Sequence, residues 1–206
     1  SAGTNQFGPG VSGNDDMGRP NKCEVTLRPG WNQIMLKVEQ GVGDYGHYFR
    51  ICDENWKSIP GLEYSTTAVA PETWVREWLQ IGPFPGAPGD ENRPLRANAD
   101  YLAGGTNNGH SVSHESEASP SVGDAFVTQS GIIYRWLPIR SSSNFLNYNS
   151  FWGGANNCVI YSVIYVKSPV QQVVFFKGGS DDSIFIYLNG EEVHRRVIGR
   201  SAGTNQ

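Results

Sequence analysis

The chain has 206 residues, of which 25 are glycine and 12 proline; aromatics reach 12% while charged residues stop at 17%. Twenty acidic and 16 basic residues give a net charge of −4, spread without blocks, which excludes the basic stripe of a nucleic-acid-binding face. No stretch approaches the ~20 apolar residues of a membrane-spanning helix, and the length suits one large all-β domain or two small ones.

Residues 1–22 are rich in Gly, Asn, Asp and Pro and read as a long loop. Residues 24–27 (EVTL) and 33–38 (QIMLKV) read as two strands of a hairpin about Pro29-Gly30, because Pro fixes one φ and Gly supplies the positive one that follows. A turn over 41–46 (GVGDYG) leads to a third strand over 47–52 (HYFRIC), and 58–62 leads to a short edge. Residues 65–72 (STTAVAPE) are small and featureless, and predict a linker. A strand or helical turn over 74–81 is stopped by Gly82-Pro83-Phe84-Pro85-Gly86, and 86–123 reads as surface loop. Strands resume at 125–127 and 132–136, and a Ser/Asn-rich 141–157 follows. The strongest β signals are last: 159–167 (VIYSVIYVK), 172–177 (QVVFFK) and 183–188 (SIFIYL), the final one turned by Asn189-Gly190 into 191–194. No segment holds a sustained apolar period of 3.6, so helix content is expected to be small. Many short strands joined by turns and long loops predict an all-β fold, a two-sheet antiparallel β-sandwich.

The hexapeptide Ser1-Ala2-Gly3-Thr4-Asn5-Gln6 recurs as Ser201-Ala202-Gly203-Thr204-Asn205-Gln206, an interval of 200 residues. Fixed-period self-similarity is the mark of a tandem array, so one unit of such an array is expected. An appended tag, or a permuted chain that duplicates its junction, would give the same match. Cys23, Cys52 and Cys158 leave one thiol over after any internal pair. They are either small buried hydrophobes or one disulfide plus a thiol free to join a neighbouring copy.

Residues 179–190 (GSDDSIFIYLNG) resemble the SDDG-x-x-x-(W/Y)-(L/I)-(N/D)-G stretch of PA14-like β-sandwich domains, with Ser183 in place of the usual Gly. Residues 27–38 (LRPGWNQIMLKV) resemble the L-x-x-G-W-N strand pair of such domains, and 78–85 (WLQIGPFP) their W-L-x-x-G-P-F opening. The resemblance implies a jelly-roll type of sandwich in an extracellular or cell-surface protein. It also implies that the motifs are out of phase. Residues 1–65 would be the C-terminal part of a sandwich, 66–72 a linker, and 73–206 the N-terminal part of the next copy or of the same domain circularly permuted. The fold would then close when Gln206 runs on into Phe7 of a following copy, or when a neighbour supplies the missing half.

In adhesins of this group an adjacent Asp pair ligates Ca²⁺ that holds sugar hydroxyls. Asp181 and Asp182, with Asp15 and Asp16, are therefore candidate Ca²⁺ ligands, since the ion takes 6–8 hard oxygens; the simpler role is capping of a turn. Trp31, Tyr48, Phe49, Phe175, Phe185 and Tyr187 fall in strand patterns and are expected in the core or on a sheet face. Tyr45, Trp56, Tyr148, Phe151 and Trp152 lie in or beside loops, where they would stack on carbohydrate or pack between copies. His110 and His114, beside Glu115 and Glu117, have helical metal spacing but a Gly/Asn/Ser setting that argues against a helix. No carboxylate pair is marked out for glycoside hydrolysis, no G-x-S-x-G elbow is present, and the G-x-G-x-x-G letters at 41–46 join two strands. The expectation is a non-enzymatic structural protein: a repeat unit of an extracellular fibre or surface stalk, built from tandem or strand-complemented sandwiches. Its partners would be further copies of itself. The alternative is a carbohydrate-binding, Ca²⁺-dependent or Ca²⁺-independent, adhesin-like module.

Overall fold

A computed structural model describes residues 21–65, 75–86, 93–197 and 199. The expected linker, Asp15, Asp16 and both copies of the hexapeptide lie outside the described residues. In chain order come β1 (Asn21–Leu27), β2 (Gly30–Gln40), β3 (Gly46–Cys52), β4 (Glu63–Ser65) and β5 (Glu77–Pro85). Next are α1 (Arg93–Asn98), β6 (Gly105–Asn107), β7 (His110–Val112), a 3₁₀ turn (Glu115–Glu117), β8 (Ala125–Val127) and β9 (Ile133–Arg135). β10 (Leu137–Arg140), β11 (Leu146–Asn147), α2 (Asn149–Trp152), β12 (Cys158–Ser168), β13 (Gln172–Asp181), β14 (Ser183–Leu188) and β15 (Glu191–Arg196) complete the series.

The fold is all-β. A four-stranded antiparallel sheet, ordered β1-β13-β3-β11, faces a seven-stranded one ordered β10-β5-β12-β2-β14-β15, with β4 joined to β12. Alternation decides which residues go between them. Val25, Leu27, Phe49, Ile51, Val174 and Phe176 point inward from the first sheet, and Ile34, Leu36, Val38, Ile160, Ile164, Ile184 and Ile186 from the second. At roughly 1.5–3 kcal/mol for each large side chain so buried, this layer dominates the stability of the sandwich. Strands from residues 21–52 pair with strands from 158–188, β3 taking the short β11 on its other side, and β2 is flanked by β12 on one side and β14 on the other. Both main sheets thus draw strands from the two parts of the chain.

Three expectations are corrected by this topology. The Pro29-Gly30 turn is no hairpin: β1 pairs with β13 in one sheet while β2 pairs with β12 and β14 in the other. Leu27 and Ile34 both have to reach the interior, so the chain arches from sheet to sheet, with Gly30 at φ 85°. Asn32 staples the arch, accepting from the Arg28 amide at 3.0 Å and donating to the Arg28 carbonyl at 2.8 Å. Secondly, the stretch 86–123 is more than surface loop where it is described, from 93 onward, and it joins the expected strands over 125–127 and 132–136. α1, the 3₁₀ turn and a small sheet ordered β7-β6-β8-β9 form a third layer over the outer face of the seven-stranded sheet. Leu102, Val112, Ala118, Phe126 and Trp136 from that layer bury against Met35, Tyr161, Val163, Phe185 and Tyr187. The Gly82-Pro83 pair likewise does not end β5, which continues to Pro85 because a register shift opposite Val159 and Tyr161 absorbs it. The Asn189-Gly190 hairpin forms as read, with φ of 52° and 86°.

Gly46, at the start of β3, sits where β11 comes alongside. A Cβ there would land on the Leu146 carbonyl oxygen and 2.7 Å from the Phe145 ring. Gly46→Ala is expected to destabilise by about 1–3 kcal/mol through overpacking, read as a lower urea midpoint at unchanged m-value.

Candidate functional site

The outer face of β2 carries Met35, Lys37 and Glu39 under the third layer, and two of these three side chains are charged. Lys37 is 1% exposed and Glu39 fully buried, so each needs a partner of opposite sign. Lys37 Nζ donates to Glu115 Oε2 at 2.8 Å, to Oε1 at 3.0 Å and to the Ala99 carbonyl at 2.6 Å. The hydroxyls of Tyr161 and Tyr187 donate to the same carboxylate, each at 2.5 Å. Burial drives both phenols above their ordinary range, reinforced by the Glu115 charge. Asp100 positions Glu115: its Oδ2 accepts from the Glu115 amide at 2.8 Å and its Oδ1 from Leu102 and Ala103.

A second cluster lies farther along the same strand face. Arg96 Nε and Nη2 donate to Glu39 Oε1 at 2.9 and 2.6 Å, and Ser183 Oγ donates to Oε2 at 2.7 Å. Burial raises the Glu39 carboxyl, and Ser183, Arg96 and Arg93 pull it back. Arg93, three residues before Arg96 on one side of α1, joins Glu39 to Asp182: Nε is 3.5 Å from Glu39 Oε2, and Nη2 donates to Asp182 Oδ2 at 3.2 Å. The same Asp182 oxygen accepts from the Gly41 amide at 2.9 Å. Gly41 lets this happen, because a Cβ there would stand 2.8 Å from the Arg93 guanidinium. The Asp182 carboxylate therefore has an arginine as its counter-ion. Asp181 is half-buried beside it. Among the described residues no three His, Cys, Asp or Glu side chains converge.

Between the two main sheets runs a chain of neutral polar groups. His47 Nδ1 is 2.6 Å from the Tyr148 hydroxyl, which is 3.2 Å from Ser162 Oγ. Gln80 Nε2 donates to Ser162 Oγ at 2.8 Å, and Trp152 Nε1 to Gln80 Oε1 at 2.9 Å. His47 is fully buried, edge-on to Trp78, and burial depresses its pKa to about 3.

The loop aromatics divide. Tyr45 and Tyr148 are wholly buried, packed edge to face at 5.2 Å, which corrects their placement: neither ring offers a face to a sugar or a neighbouring copy. Trp56 is half-buried, with Lys177 Nζ 3.8 Å above its ring. Trp152 packs on the core, and Phe151 is exposed. Trp31, expected in the core or on a sheet face, is 48% exposed on the outer face. His110 and His114 are exposed, and of their cluster it is Glu115 that turns inward. Asp44 is exposed and accepts from Asn149 Nδ2 at 2.7 Å. The three cysteines are buried; burial raises the thiols of Cys23 and Cys158, up to about 11 and about 12.

No family model, curated protein or solved structure matches the chain. Chemically, both buried carboxylates of the outer face are saturated by cations and hydroxyls, an arrangement that fixes a layer in place. Sequence reading missed Lys37, Glu39, Arg93, Arg96 and Glu115 as one assembly; the charged positions 37 and 39 alternating within an apolar strand were the available signal.

Proposed function

We propose that the chain is a non-enzymatic structural unit, one copy in a tandem series of extracellular β-sandwiches forming a fibre or surface stalk. The observation that carries this reading is where the repeated hexapeptide falls relative to the sandwich. Among the described residues the first and last strands are neighbours: Cys23 Sγ, in β1, donates to the Val193 carbonyl, in β15, at 3.3 Å. The chain thus comes into the sandwich and leaves it at one place. One hexapeptide precedes β1 and its twin follows β15, where a connector from Val197 of one copy to Pro20 of the next would run. Tandem joining is favoured over strand complementation because strands from the two parts of the chain already pair within one sandwich, β1 with β13 and β2 with β12 and β14. Arrays of this kind draw stability from each unit and from contacts between neighbours. The non-enzymatic part of the reading draws support from the buried acids, Glu39 and Glu115, whose oxygens are engaged by Arg96, Lys37 and hydroxyls.

The test is the intact mass of the mature polypeptide, combined with electron micrographs of the native material. A mass built on multiples of the 200-residue interval and a regular bead spacing are expected. A lone 22.6 kDa chain that never associates would overturn the proposal.

A further inference from the structure

The third layer does not reach the end of the sheet it covers. Past the 3₁₀ turn, the outer face of β2 and β12 opens into a groove of about 280 Å³ lined by Arg28, Trp31, Gln33, Ser116, Ser119 and Tyr165, with the Asn189-Gly190 turn at its end. Strand register sets the floor: Trp31 lies opposite Lys167, and Gln33 opposite Tyr165. The walls are held from behind. Tyr165 donates its hydroxyl to the Pro120 carbonyl at 2.8 Å and lies 3.3 Å from Ser119 Oγ. Gln33 Nε2 donates to the Ala118 carbonyl at 2.5 Å, while Asn189 accepts from the Gln33 amide at 2.9 Å and donates to Asn32 Oδ1 at 3.0 Å. A preorganised site spends less of its binding energy on ordering itself.

Two features select a ligand. Trp31 presents an indole nearly half exposed, and an exposed, rigid aromatic in a polar groove suits a ring that has an apolar C–H face and hydroxyls around its edge. Arg28 is the charged side chain of the groove lining; it is exposed and makes no ion pair among the described residues. Lys167 adds a second positive group, its Nζ 6.0 Å from the Trp31 ring centroid and 3.1 Å from Glu63. On a chain of net charge −4, a groove lined, among the described residues, by one cation and no carboxylate is a local reversal of sign. Guanidinium pairs bidentately with carboxylate and sulfate-like oxyanions. We propose that this groove binds an acidic saccharide, with a sugar ring stacked on Trp31 and its anionic substituent on Arg28. The site stands apart from the Asp181–Asp182 turn, at the opposite end of β14, and does not depend on the tandem reading.

Calorimetric titration of the full chain with an oligogalacturonate, a sulfated oligosaccharide and a neutral gluco-oligosaccharide of equal length tests it. Binding of at least one acidic sugar, about tenfold or more tighter than the neutral one, is expected, and which acid binds identifies the carboxylate or the sulfate as the group recognised. Trp31→Ala is expected to weaken that binding about tenfold or more. Arg28→Gln should remove both the preference for acid over neutral sugar and the salt dependence. Both side chains are exposed, so an unchanged melting temperature establishes that the variants fold. Failure of both acidic sugars to bind, equal affinity for the neutral one, or binding indifferent to Trp31→Ala overturns the proposal.

Discussion

Lys37→Met is expected to lower the unfolding free energy by about 3–5 kcal/mol, the range for removing one member of a buried ion pair. The loss comes less from the missing attraction than from what remains. Glu115, 3% exposed, would be left buried without its ammonium partner, engaged by the hydroxyls of Tyr161 and Tyr187. The Ala99 carbonyl would also lose its donor. Removing the charge from both partners, Lys37→Met with Glu115→Gln, should recover part of the loss, because no uncompensated ion is left inside. Urea unfolding of the four members of this double-mutant cycle isolates the pairwise contribution. A Lys37→Met protein within about 1 kcal/mol of the parent would refute the view that this pair fastens the third layer to the sheet.

Acidification is expected to expose the second buried group. His47 has a folded pKa of about 3 against about 6.5 unfolded. Between those values the unfolded chain carries a proton that the folded one refuses, so stability rises with pH across the window. The contribution is therefore fully present above pH ~6.5 and is lost at about 1.4 kcal/mol for each unit as pH falls toward 3. Desolvation is the cause, since the ring sits between Tyr148 and Trp78 with Nε2 unpartnered. Acid-labile carboxylates contribute to the same descent, which is why a reference is needed. His47→Gln is neutral at every pH, and the difference between the two unfolding curves should shrink at that slope below pH 6.5. A difference that stays flat from pH 7 to 4 would show that His47 titrates normally in the folded protein.

The strands were readable where side-chain chemistry is locally decisive. β12, β13 and β14 are runs of β-branched and aromatic residues, and the Asn189-Gly190 turn supplies its own backbone geometry, so local sequence and global fold agree there. Pro29-Gly30 shows the limit of local reading. The dipeptide dictates a reversal, but whether that reversal joins two strands of one sheet or two sheets depends on the partners offered by β12, β13 and β14, more than a hundred residues away. The third layer was illegible for a different reason. β6, β7, β8 and β9 have three residues each, too few for a period to show. The buried charges were hidden by distance as well: Lys37 and Glu39 look like an exposed strand face until Glu115 and Arg96 close over them. Tyr45 and Tyr148 sit in turn-rich sequence, yet their rings fill the end of the sandwich, because a loop that crosses the core's rim can turn its large side chains inward.

The position of the two terminal strands has a mechanical consequence. Among the described residues β1 is an edge strand of its sheet and β15 an edge strand of the seven-stranded one, and they lie together at Cys23 and Val193. A load pulling the two ends apart would meet the sheets at their margins and open the ladders bond by bond, as a zip is opened. It would not strain a whole row of bonds at once, as happens when the ends lie at opposite poles of a sheet. In the proposed tandem series such a unit would yield at lower force than one pulled in shear and release its folded length as slack, so that copies in series would form an extensible tether.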